Sequence, residues 1–148
     1  MSVKSAIMPI EVLLVEDNPG DAQLTRIALE DSKISIHLNV VEDGVEAMAF
    51  LRKQEKYATA AHPDIVLLDL NLPKKDGREV LAEIKTDINL KRIPVVVLTT
   101  SQAEEDILKA YNLAANCYIT KPVDFDQFVK IVQSIENFWF AIVKLPPE

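Results

Sequence analysis

Three unbroken apolar runs narrow what this chain can become: "VLLV" (Val12–Val15), "DIVLLDL" (Asp64–Leu70) and "PVVVL" (Pro94–Leu98). Each contains β-branched residues, lacks the apolar–polar alternation of a strand with one wet face, and is bounded by turn residues. Continuous runs of this length suit strands covered on both faces, as in parallel sheets. "IHLNVV" (Ile36–Val41) and "CYIT" (Cys117–Thr120) are weaker candidates of the same kind.

Helical patterns separate these runs. Pro19 to Glu30 carries Leu24, Ile27 and Ala28 at helical spacing, with Asn18 as N-cap and Pro19 at the first helical position. Val45 to about Lys56 groups Ala47, Met48 and Leu51, and Gly77 to Thr86 groups Val80, Leu81 and Ile84. Ser101 and Glu104 form a capping box before Ile107, Leu108 and Tyr111. Asp124 caps a last helix carrying Phe125, Phe128, Val129, Val132 and Ile135. "KYATAAHPD" (Lys56–Asp64) reads as a mobile connection and "LKR" before Ile93 as a solvated loop. The order is strand then helix, five times, which predicts parallel βαβ units in an α/β sandwich.

The chain has 148 residues, the size of one domain. Its net charge of −7 argues against nucleic acid or an anionic membrane as the main partner, and suits metal cations or a basic patch on another protein. The single cysteine, Cys117, excludes an internal disulfide and reads as a small buried hydrophobe. There is no signal-like apolar segment at the N-terminus and no apolar run approaching about 18 residues, so the expected location is cytoplasmic. His37 and His62 stand too isolated to act as ligands.

Each convincing strand stops in polar residues: Glu16-Asp17, Asp69, Thr99-Thr100 and, after the fifth, Lys121. Open parallel sheets bind ligands beyond the carboxyl ends of their strands, where strand order reverses. With the order 2-1-3-4-5, Glu16, Asp17 and Asp69 share one crevice, with Thr99 and Lys121 on its rim. Three carboxylates repel one another unless a cation joins them. An all-oxygen set points to a hard cation, Mg²⁺ first, with Mn²⁺ or Ca²⁺ as substitutes. A fixed ammonium facing a metal-neutralised carboxylate makes a phosphate site.

These residues carry a resemblance. Glu16-Asp17 after "VLLV", Asp69 in "LLDLNLPKKDG", Thr99 in "VVVLTTS" and Lys121-Pro122 in "YITKP" are similar, in order and spacing, to the receiver domain of two-component response regulators. The likeness covers residues 9–136, leaving 1–8 as an N-terminal tail and 137–148 as an extension of the last helix. It implies a flavodoxin-like (βα)5 fold with a doubly wound parallel sheet. Asp69 is then the phosphoacceptor, attacking the phosphohistidine of a sensor histidine kinase. Glu16, Asp17, the Asp69 carboxylate and the backbone carbonyl of Asn71 hold Mg²⁺. Lys121 pairs with Asp69 at rest and with a phosphoryl oxygen afterwards, and Thr99 bonds the phosphoryl group. Tyr118 is the switch aromatic, and the face of the fourth helix, fifth strand and fifth helix repacks. The resemblance makes the chain a phosphoacceptor, not an enzyme, beyond phosphorylating itself from small donors and dephosphorylating itself. Ala114 stands where the family usually has glycine, with Asn112 or Asn116 as the alternative left-handed cap. Thr100 stands where a smaller residue is common, which narrows access to the phosphoryl group.

The extension "NFWFAIVKLPPE" is apolar over more than one helical stripe. One face packs on the domain; the rest predicts a symmetric homodimer through Phe138, Trp139 and Ile142. No output domain follows in the sequence, so the expected output is protein contact or onward phosphate relay. The form is similar to regulators serving bacterial and cyanobacterial phytochromes. A haloacid-dehalogenase-like phosphatase is the enzymatic alternative, but it needs a second Asp two residues after the nucleophile, where Asn71 stands. A nucleotide-binding Rossmann module needs a glycine-rich turn where "EDNPG" offers two anions. A third alternative, a pseudo-receiver that only binds proteins, is opposed by the intact acidic set with Thr99 and Lys121.

Overall fold

The computed structural model describes residues 9–30, 35–99 and 117–121, with Val123, Asp126 and Lys130. Its elements are β1 (Ile10–Val15), α1 (Pro19–Glu30), β2 (Ile36–Val41), α2 (Gly44–Leu51), a 3-10 turn (Glu55–Tyr57), β3 (Ile65–Asp69), α3 (Gly77–Thr86), β4 (Val95–Thr99) and β5 (Cys117–Thr120). The five strands form one sheet, ordered β2-β1-β3-β4-β5, with every neighbouring pair parallel. That is the expected doubly wound order, and it sets β1 beside β3.

The unbroken apolar runs are explained by burial on both faces. Along β1, Leu13 and Val15 join the core under α2 and α3, while Val12 and Leu14 join the core on the α1 side. The same division separates Val66 and Leu68 from Ile65 and Leu67, and Val95 and Val97 from Val96 and Leu98. Each of these side chains is at most 2% exposed, so a strand here has no wet face on which to place a polar residue.

Helix caps follow local chemistry. Asn18 Oδ1 accepts from the Asp21 N–H at 2.9 Å, the expected cap of α1. Asp76 caps α3 in a reciprocal box with Glu79. Gly77 opens that helix because a Cβ there would lie 2.4 Å from the Asp69 carbonyl oxygen. Glycine thus lets α3 start hard against the end of β3.

Four expectations need correction. In α1 the stripe facing the sheet is Thr25 and Leu29, whereas Leu24 and Ile27 are 53% and 46% exposed. Spacing identifies the helix but not its rotation, which packing against the sheet decides. Helix α2 ends at Leu51 rather than near Lys56. Lys53 turns left-handed at φ 55°, and Lys53 and Gln54 donate back to the Phe50 and Ala49 carbonyls, closing the helix end. The Lys56–Asp64 stretch, read from the sequence as a mobile connection, is fastened at both ends. Tyr57 packs on Phe50 with ring centroids 5.2 Å apart and donates its hydroxyl to Glu46, and Asp64 exchanges hydrogen bonds with the Glu11 backbone. In "LKR", Leu90 is buried with Ile93 in the core, and only Lys91 and Arg92 face solvent.

No helix among the described residues is long and apolar enough to cross a membrane. The helix opened by Ser101, the last helix apart from Asp126 and Lys130, Thr100, Asn112, Ala114, Asn116 and the predicted dimer residues Phe138, Trp139 and Ile142 lie outside the described residues.

Candidate functional site

The carboxyl ends of β1 and β3 lie side by side, with Val15 in register with Leu68. Residue 16 leaves β1 just as Asp69 closes β3, so register alone brings Glu16 to Asp69. Ligand oxygens from Glu16, Asp17 and Asp69 all lie within 4.8 Å of one another. Among the described residues this is the only such group of three metal-ligating side chains. Glu16 and Asp69 are buried at 1% and 3% exposure, and Asp17 is exposed.

Lys121 leaves β5 and crosses to the acids. Its Nζ lies 2.9 Å from Glu16 Oε1, 3.1 Å from Asp69 Oδ2 and 2.9 Å from Asp21 Oδ2. The other Asp69 oxygen accepts from the Asn71 N–H at 3.0 Å, which folds the chain after β3 back over the crevice. The contact with Glu16 is close without hydrogen-bond alignment, so Glu16 Oε1 is a buried oxygen with an acceptor position open. Its partner Oε2 accepts from the Asn18 N–H at 3.3 Å.

The electrostatics express the same crowding. Burial, followed by the neighbouring Asp69, pushes the Glu16 carboxyl up to about 7, with Lys121 opposing. Burial pulls the Lys121 ammonium down, but Glu16, Asp21 and Asp69 outweigh it and hold the lysine above its ordinary value. Glu16, Asp17, Asp69 and Asp21 face a single ammonium, so the crevice carries an excess of negative charge. The oxygen-only donors and the open Glu16 oxygen fit a divalent cation. Such an ion would be held by Glu16, Asp17 and Asp69, and would supply charge neutralisation for an incoming phosphoryl group.

Thr99 closes β4, in register with Thr120 of β5, one residue beyond the pairing of Asp69 with Leu98. Tyr118 is half-buried against the α2–α3 core. His37 pairs with Glu11 at 2.7 Å, near the start of β1 and away from the acids. Asp21 carries no signal of its own in the sequence: in the first turn of a helix, an acid reads as a dipole partner. A wider cleft lies between α1 and the edge strand, against Leu29, Ile36 and Leu38, and brings no such acidic group together among the described residues.

The family profile described as response regulator receiver domain matches residues 12–133. The response regulator Rcp1 of Synechocystis sp. is 52% identical over 138 residues, covering 93% of this chain and 94% of that protein. The solved structure of the phosphorylated cyanobacterial phytochrome response regulator RcpA aligns with a TM-score of 0.74 at 54% identity, over 95% of this chain and all of that one. The Mn²⁺-bound form of Rcp1 aligns with a TM-score of 0.72 at 52% identity, over 94% of this chain and all of that one. These matches give no support to the phosphatase alternative, whose general acid Asn71 in any case does not supply. Strand order, acidic crevice and a profile spanning most of the chain agree: this protein belongs to the response regulator receiver family.

Proposed function

We propose that Asp69 is the residue that accepts the phosphoryl group, and that Mg²⁺ is the physiological cation, with Mn²⁺ or Ca²⁺ as substitutes. The observation that carries this is the Asp69 carboxylate itself. It is buried at the head of β3, one oxygen is 3.1 Å from the Lys121 ammonium, and it lies within the three-acid group. In the reaction an Asp69 oxygen attacks phosphorus. The P–N bond to the donor histidine breaks, and an acyl phosphate forms. Glu16 and Asp17 hold the cation with Asp69 and the Asn71 carbonyl. Lys121 balances charge on the phosphoryl oxygens, and Thr99 donates a hydrogen bond to one of them. The new negative charge, about −1.5 to −2, then draws Thr99 and Lys121 inward. Tyr118 follows, and the protein shifts between two populations of one fold.

The donor is a sensor histidine kinase. The phytochrome system is the reading favoured by the likeness to RcpA. The reaction needs no further catalyst, so small phosphodonors such as acetyl phosphate serve in place of the kinase. The single cysteine goes with a reducing compartment, and a cytoplasmic location belongs to the same reading. A homodimer through Phe138, Trp139 and Ile142 rests on the apolar surplus of residues 137–148. Light scattering decides it: Trp139→Ala is expected to be monomeric where the parent is dimeric, and an unchanged dimer rejects the tail as the contact.

Mg²⁺-dependent labelling with acetyl phosphate tests the acceptor. The parent protein is expected to carry an acid-stable, base- and hydroxylamine-labile acyl phosphate that Asp69→Asn lacks. Equal labelling of both proteins sinks the assignment.

A further inference from the structure

Lys121 is shared among three carboxylates, and only two of them belong to the group that fits a cation. Its ammonium is 2.9 Å from Glu16, 3.1 Å from Asp69 and 2.9 Å from Asp21. Asp21 stands on the first turn of α1, outside the Glu16–Asp17–Asp69 cluster, with its side chain 41% exposed. The Lys121 side chain is only 15% exposed, so water does little to hold its charge. Asp21 and Lys121 line a narrow cleft between α1 and the end of β5, closed below by Thr25 and Val123.

A cation entering the crevice competes with Lys121 for the same Glu16 and Asp69 oxygens, and the two positive charges repel. The lysine needs an anion that the cation does not use. We propose that Asp21 is a positioning residue: it gives the Lys121 ammonium a third carboxylate, on the α1 side of the crevice, to hold when a divalent cation takes the Glu16 and Asp69 oxygens. This rests on the metal-site reading above and adds to it the residue through which lysine and cation coexist. Without Asp21, Lys121 has only Glu16 and Asp69 to hold, and the cation must displace it with no other carboxylate to receive it.

Mn²⁺ titration followed by electron paramagnetic resonance of the free ion reads this directly. Asp21→Asn is expected to weaken Mn²⁺ binding on the order of 3- to 10-fold, the scale of one partly solvated charge contact. In a Lys121→Met background the same substitution is expected to change affinity less than about two-fold, since the residue acts through the lysine. Unchanged Mn²⁺ affinity in Asp21→Asn overturns the proposal. So does an equal loss with and without Lys121, which is the mark of a long-range field. Loss of the helix-terminal charge alone lowers thermal stability without moving Mn²⁺ affinity, and that result also overturns it. Asp17→Asn separates the two levels. If it abolishes Mn²⁺ binding while Asp21→Asn does nothing, only the positioning role falls. If Asp17→Asn binds Mn²⁺ like the parent, the metal site itself is wrong.

Discussion

Two strands of this sheet end in the same three residues. β1 runs out through Val15-Glu16-Asp17 and β2 through Val41-Glu42-Asp43. Both valines are buried, and there the likeness stops. After β1 the glutamate is buried and the aspartate exposed; after β2 the glutamate is exposed and the aspartate buried. Both Asp43 oxygens have partners. One oxygen caps α2 through the Glu46 N–H at 2.8 Å, and the other pairs with Lys74 at 3.4 Å. Glu16 shares its lysine with Asp69 and Asp21 and faces a second buried acid. Burial of an acid therefore does not make a site. Acids brought together by neighbouring strands do.

Two local causes separate the loops. Helix α2 begins directly after Asp43, which therefore becomes its cap, whereas Asn18 caps α1 and leaves Asp17 with no such duty. Strand β2 is an edge, while β1 has β3 on its other side, delivering Asp69. Gly44 tightens the second loop further, since a Cβ there would lie 2.1 Å from the Lys75 carbonyl oxygen.

The sharpest way to break the contrast is to neutralise one acid in each loop. Glu16→Gln is expected to weaken Mn²⁺ binding by about 100-fold, the upper end of what losing even an outer partner costs a metal site. Melting of the metal-free protein should stay level or rise, because the substitution removes a buried carboxyl that resists ionising. A large loss of metal-free stability would make Glu16 a structural acid like Asp43. The reverse pattern is expected across β2. Asp43→Ala should lose about 1 kcal/mol in urea unfolding, the usual worth of an N-cap, with Mn²⁺ affinity kept within about two-fold. Its exposed neighbour is the paired control: Glu42→Ala should move stability by no more than about 0.5 kcal/mol. A cation affinity that falls with Asp43 would merge the two loops into one site.

Much of the fold and of the crevice is legible in the residues alone. The runs at Val12, Asp64 and Pro94 mark buried strands because an unbroken apolar segment has no polar face to expose. Asn18 and the start of α3 at Gly77 are readable because capping is decided within four residues. Glu16, Asp17, Asp69 and Lys121 come together because each closes or follows a strand, and parallel strands send their ends to one side. The seat of Thr25 and Leu29 against the sheet is not legible, since the rotation of a helix is set by what it packs on. Nor are the anchors of Lys56–Asp64, where Tyr57 meets Phe50 and Asp64 meets Glu11.

By itself the sequence determined the alternation of strand and helix, the double-faced sheet and the acids at strand ends, because these follow from periodicity and short-range chemistry. It did not determine that the second Val-Glu-Asp ending, after β2, spends its aspartate on capping α2, nor that Asp21 meets Lys121. Only the tertiary structure decided these, because they depend on which strand lies beside which and on how a helix is turned, and both are fixed by packing between distant parts of the chain.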